Sequence, residues 1–181
     1  MAKFEIAEKI TGRNEGGYAN NKADKGGETY AGIARNHWPK WEGWVRIDLI
    51  KKTFGNTAKA INANASADPY LNSLISQFYK KNFWDVNKLD LVYDQQVANT
   101  VYDFGVNSGT GRAAKFLQEI VGVNADGAIG NITLAAVNKM PAYEVVTAYN
   151  KRREAFYRSI AKGSQAQFLK SWLSRLKPYT K

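Results

Sequence analysis

The stretch that most constrains the fold is Asp68-Pro69 followed by apolar residues at Leu71, Leu74, Ile75, Phe78 and Tyr79. Asp accepts backbone hydrogen bonds at a helix N-cap, and Pro suits the first helical position, where its missing N–H would have no partner. The i, i+3, i+4, i+7, i+8 spacing then places all five apolar side chains on one helical face. Such a face cannot bury itself, so other helices must cover it. Comparable patterns predict helices over 3–14, 47–62, 90–105, 110–121, 131–138, 141–161 and 164–176. Gly16-Gly17 would stop the first, and Thr110 and Asn131 are expected as caps of two others. The expected class is mostly α: a helical bundle with one small β-hairpin after the first helix.

That hairpin is expected in "EGGYANNKADKGGETYAGI", Glu15 to Ile33, where Gly, Asn, Asp and Lys separate two short aromatic or apolar ends. A length of 181 residues suits one compact domain, or one with a closely packed second lobe, and 44% apolar content argues against disorder. There is no long apolar run and no basic start with an apolar middle, so neither a membrane span nor a signal peptide is expected.

Zero cysteines and one histidine, His37, leave out disulfides, thiolate nucleophiles and the usual zinc sites. A Ser-His or Cys-His nucleophile is nearly excluded as well, because His37 lies in the aromatic stretch "NHWPKW". Catalysis would fall to carboxylates, hydroxyls and lysines, with no metal or organic cofactor expected. "GVNSGTG" lacks the GxxxxGK[ST] spacing of a phosphate cradle.

The formal charge of +10 is uneven. From Asn150 to Lys181 nine residues are basic (Lys151, Arg152, Arg153, Arg158, Lys162, Lys170, Arg175, Lys177, Lys181) against one acid, Glu154. Such a surface attracts polyanions, whether nucleic acid, an anionic membrane or bacterial cell wall.

Glu15 stands at a helix end, against two glycines that clear one side of its carboxylate. A Glu partly shielded from water holds its proton to higher pH and can donate it to a glycosidic oxygen. Asp24 lies nine positions on, in the expected turn, and Thr29 five beyond that. A returning hairpin can bring them to one cleft, with Asp24 ionised and Thr29 orienting a water. Glu28 competes with Asp24 as second carboxylate, although strand alternation would point it away from Thr29.

These residues carry a resemblance. "EGGYANNKADKGGETYAGIA" is similar to the signature of glycoside hydrolase family 108, N-acetylmuramidases of the lysozyme-like superfamily, and "NHWPKWEGW" resembles the segment that members of that family carry after the hairpin. Downstream, "DFGVNSGTGRAAKFLQEIVGVNADGAIGNITLAAV" and "KRREAFYRSIAKGSQAQFLKSWLSR" resemble a peptidoglycan-binding region often joined to that signature. The resemblance implies an α+β lysozyme-like catalytic region over 1–92 and a helical peptidoglycan-binding region over 93–181. It implies hydrolysis of the β-1,4 bond between N-acetylmuramic acid and N-acetylglucosamine, with Glu15 as general acid. Relative to the wider superfamily Thr29 comes one position early, which leaves its part open. Phage or prophage endolysins and secretion-associated muramidases are the family's usual settings.

The implied partner is the peptidoglycan glycan strand, with the basic C-terminal residues favouring an anionic envelope surface, no specific nucleic acid, and a monomeric chain. Made in the bacterial cytoplasm without a signal peptide, the chain would need a holin-type or other export route to reach the wall. Tyr18 and Tyr30, flanking the hairpin, and Asn107, beside "NSGTG", are candidate sugar contacts, with packing or loop-fixing roles as their alternatives. Trp38, Trp41 and Trp44 are expected to pack, and Arg153, set in the apolar stripe of 141–161, to pair with a carboxylate or snorkel. The rival activities are a lytic transglycosylase, which also uses one Glu, and a non-catalytic cell-wall or nucleic-acid binding module.

Overall fold

A computed structural model describes residues 1–11, 16–20 and 26–180. Nine α-helices, one π-helical turn, three 3-10 stretches and one three-stranded antiparallel sheet account for the regular structure among these residues. No described helix is long and apolar enough to cross a membrane. Packing divides the chain into two units, Thr11–Lys80 and Met1–Ile10 with Lys81–Lys181.

In the first of these lie the strands β1 (Ala19–Asn20), β2 (Glu28–Tyr30) and β3 (Ile33–Ala34) and the helices α2 (Gly43–Phe54), α3 (Ala58–Ser66) and α4 (Pro69–Tyr79). The expected N-cap is present on α4: Asp68 Oδ1 accepts from Tyr70 N at 3.0 Å and Leu71 N at 3.1 Å. All five predicted apolar positions of α4 are buried. They meet Trp44, Ile47, Ile50 and Ile61 in one core, where Trp38 stands edge-on to Phe78 with centroids 4.9 Å apart and Trp41 edge-on to Trp44 at 5.3 Å. The tryptophans thus pack, as expected, although Trp38 keeps one side in solvent.

The single helix expected over 47–62 is two. Gly55 takes φ +99°, a conformation that L residues rarely adopt, and Thr57 Oγ1 then accepts from Ala60 N at 3.2 Å to cap α3. The sheet is also one strand larger than a hairpin. Ala31 (φ +48°) and Gly32 (φ +76°) form a tight left-handed turn of the kind that matches strand twist, returning the chain as β3.

The second unit contains α1 (Phe4–Thr11) up to Ile10, α5 (Gln95–Ser108), α6 (Thr110–Ile120), α7 (Asn131–Lys139), α8 (Ala142–Ile160) and α9 (Leu169–Ser174). Residues 12–14 of the first expected helix lie outside the described residues. Phe4 of α1 packs edge-on to Trp84 and Tyr102 at 5.8 and 5.7 Å. A second aromatic cluster joins Phe104, Phe116, Tyr149, Phe156 and Tyr157 across α5, α6 and α8.

Thr110 and Asn131 are not caps. Each is the first helical residue, and Gly109 and Gly130 occupy the cap positions without a side-chain hydrogen bond. The expected helix over 164–176 is a 3-10 stretch, Gly163–Phe168, followed by the short α9. Arg153 is 1% exposed and pairs with the Asp103 carboxylate, the first of the two fates expected for it.

Candidate active site

Glu15 and Asp24 lie outside the described residues, so the site is built from the motif residues on either side of them. Gly16–Asn20 and Gly26–Ala34 are described. β1 pairs with β2 through Ala19 with Thr29 and Asn20 with Glu28, and β2 pairs with β3 through Thr29 with Ala34 and Tyr30 with Ile33. Alternation along β2 places Glu28 and Tyr30 on one face and Thr29, half-buried, on the other. This is the opposition between Glu28 and Thr29 that the sequence predicts.

The sheet is fixed to its surroundings at Ala31. Its N–H donates to Gly16 O at 2.9 Å, and its carbonyl accepts from the buried Tyr79 hydroxyl at 2.8 Å. Left-handed backbone costs an L residue about 1–2 kcal/mol. The two hydrogen bonds offset that cost and hold the turn in place.

Glu28 is an ion-paired residue. Lys51 Nζ lies 2.8 Å from its Oε1 and Arg35 Nη1 2.7 Å from its Oε2. Arg35 also grips Asp48 with two bonds, 2.8 and 2.7 Å, and its guanidinium lies 5.2 Å from the Trp44 ring. Burial pushes the Glu28 carboxyl up, but hydrogen bonds from Lys51 and Arg35, together with the Lys51 charge, leave it below its ordinary value. A carboxylate held ionised in this way is a poor proton donor.

Tyr18 and Tyr30 are core side chains, 8% and 6% exposed. Burial pushes both phenols up, helped by Glu28 at Tyr18 and by Asp68 at Tyr30. Asn107 belongs to the other unit, near the end of α5, where its exposed amide donates to Asp103 O at 2.6 Å. Tyr18 leads into this small sheet, and Thr29 and Tyr30 belong to its middle strand on opposite faces.

Three residues of the site escape sequence inspection: Lys51, Arg35 and Asn62. Tyr18 N donates to Asn62 Oδ1 at 2.6 Å. The one available signal for Asn62 is a polar residue beside Ile61 on a helix whose buried positions are Ile61 and Ala65. A depression of about 430 Å³ in the same unit, lined by Arg46, Leu49, Phe54, Asn64 and Asp68 among others, contains no residue of the motif.

The family profile described as "Glycosyl hydrolase 108" matches residues 8–109, which include the whole sheet and α2 to α5. The chain belongs to that family. This family 108 chain is a glycoside hydrolase of the muramidase kind, a peptidoglycan hydrolase, with the mostly α, lysozyme-like fold. A second profile, "Predicted Peptidoglycan domain", matches residues 112–177, so peptidoglycan is the substrate its two parts share. A solved structure, "Structure of Brucella abortus SagA", is similar to it with a TM-score of 0.67 and 32% identity, covering 96% of this chain and 88% of that one. No curated protein matches the chain.

Proposed function

We propose that the chain cleaves the β-1,4 bond between N-acetylmuramic acid and N-acetylglucosamine by general acid/base catalysis, with Glu15 as the acid. The Glu15 carboxyl gives its proton to the glycosidic oxygen as the C1–O bond breaks. Water supplies the oxygen that replaces it at C1, and Asp24 accepts the proton that water loses. Thr29 orients that water from the strand face opposite Glu28.

The observation that carries this assignment is the pairing of Glu28 with Lys51 and Arg35. Both oxygens of the carboxylate that competes with Asp24 for the second role are taken by cations, which favours Asp24 there, and a carboxylate held ionised leaves proton donation to Glu15. Tyr18 and Tyr30, buried on the Glu28 side of the sheet, back the sugar site from behind, and Asn107 is a separate sugar contact in the other unit. Functionally the chain divides near residue 92 into catalytic and peptidoglycan-binding regions, working as a monomer. After holin-type or other export it acts on the wall, and exposed Lys151, Lys162, Lys170 and Lys177 draw it to anionic envelope.

Glu15→Gln keeps the shape of the side chain and removes the acid. It is expected to abolish clearing of purified sacculi, and a variant that clears at the wild-type rate overturns the assignment. Mass spectrometry of the wild-type products must show reducing ends; 1,6-anhydro ends would make the enzyme a transglycosylase. Repeating the assay at higher salt is expected to slow encounter with the sacculi, because the lysine attraction is screened.

A further inference from the structure

The backbone that follows Glu15 is held at two successive points before it enters the sheet. Gly16 O accepts from Ala31 N at 2.9 Å, and Tyr18 N donates to Asn62 Oδ1 at 2.6 Å. The first bond belongs to the sheet. The second comes from the side chain of a helix, α3, which the sequence places 44 residues away.

Gly17, between these two points, is shaped to the same side chain. A Cβ built on it would lie 2.6 Å from Asn62 Oδ1, 2.7 Å from Nδ2 and 2.9 Å from Cγ. No carbon tolerates those distances. The whole Asn62 amide therefore rests against the bare Cα of Gly17, and any side chain at 17 would drive it away from Tyr18 N. The second glycine of "EGGY" thus has a specific partner in the fold.

We propose that Asn62 is a positioning residue for the hydrolysis. It ties the chain three residues beyond the acid to a helix, so that the backbone leading away from Glu15 is anchored to a regular element. A general acid must be held within a fraction of an ångström of its target, and a small misplacement costs rate without removing the group. Asn62 touches backbone, not substrate, so its effect falls on turnover. The proposal rests on Glu15 being the proton donor.

The test compares Asn62→Ala, Asn62→Asp, Gly17→Ala and Gly17→Ala/Asn62→Ala with wild type and Glu15→Gln on soluble glycan strands, below the melting temperature of each. Asn62→Ala is expected to lower kcat by roughly 10- to 100-fold while KM holds. Asn62→Asp keeps an oxygen acceptor for Tyr18 N and is expected to recover most of that loss. Gly17→Ala should match Asn62→Ala, and the double variant should be no worse than either, because both break the same contact.

Wild-type kcat in folded Asn62→Ala, a loss carried by KM alone, failure of Asn62→Asp to recover, or additive losses in the double variant would each overturn the proposal. Glu15→Gln separates the two readings. If it is dead while Asn62→Ala is unimpaired, the positioning role falls and the acid assignment stands. If Glu15→Gln turns over normally, both fall.

Discussion

Lys51 Nζ and Arg35 Nη1 close on the two oxygens of Glu28, at 2.8 and 2.7 Å, so that one strand carboxylate is shared between α2 and the segment after β3. Its side chain is 10% exposed, which removes most of the water that would screen the pair.

This arrangement makes stability depend on acid. The folded-state value of Glu28 is depressed below its ordinary 4.5, because the cation contacts outweigh the opposing effect of burial. Its contribution is therefore fully present above that ordinary value and is lost as pH falls through the lower folded value. Asp48, held by Arg35, and Asp68, where backbone and Arg46 bonds outweigh burial, act in the same sense. Urea midpoints are expected to stay level from neutral pH down to about 5 and to fall below it. Glu28→Gln should be less stable than wild type at neutral pH and should lose part of that acid slope. A variant with an unchanged slope would show that the cluster does not contribute.

The Asp103 cluster should respond unequally to the removal of its members. Asp103 meets Arg153, 1% exposed, and Arg175, whose Nε lies 3.2 Å from Oδ1. Asp103→Ala strands the Arg153 guanidinium with only the Tyr157 hydroxyl, 3.1 Å away, among the side-chain partners given by the described residues. It is expected to cost about 3–5 kcal/mol, whereas Arg175→Ala, at the wetter edge, should cost about 1 kcal/mol or less. Chemical denaturation of the two variants checks the order, and equal costs would contradict it.

Tyr79→Phe removes one hydroxyl and leaves the ring in place. The Ala31 carbonyl then loses its buried donor at a turn that already carries a left-handed alanine. A loss of about 1–3 kcal/mol is expected, the usual cost of an unsatisfied buried polar group. Hydrogen exchange should speed up at the amide of Ala31, whose bond to Gly16 O is the neighbouring restraint.

Local signals were readable in the sequence and distant partnerships were not. Asp68-Pro69 with its five apolar followers is a cap and a stripe within twelve residues, and α4 matches it closely. The break at Gly55 is hidden because the apolar pattern continues through it, and β3 because two residues are too short to show alternation. Thr110 and Asn131 have the chemistry of caps, but the chain turns one residue earlier in each case. At the site, Gly17 stood in plain view, whereas its partner Asn62, the Lys51 grip on Glu28 and the Asp103 partner of Arg153 come from 23 to 50 residues along the chain from the groups they hold. Nothing in composition or spacing selects such partners. They exist only once the helices are packed.

Residues 11–80 form one unit, and the other is written in two pieces, before and after them. Phe4 and its ring contacts to Trp84 and Tyr102 show that the leading piece belongs to the trailing one. In the language of protein engineering, the portable cassette is the insert, entering and leaving through two splice points. A chimaera spliced once, head to tail, at any point between α1 and Trp84 would inherit Phe4 from one parent and its aromatic seat from the other.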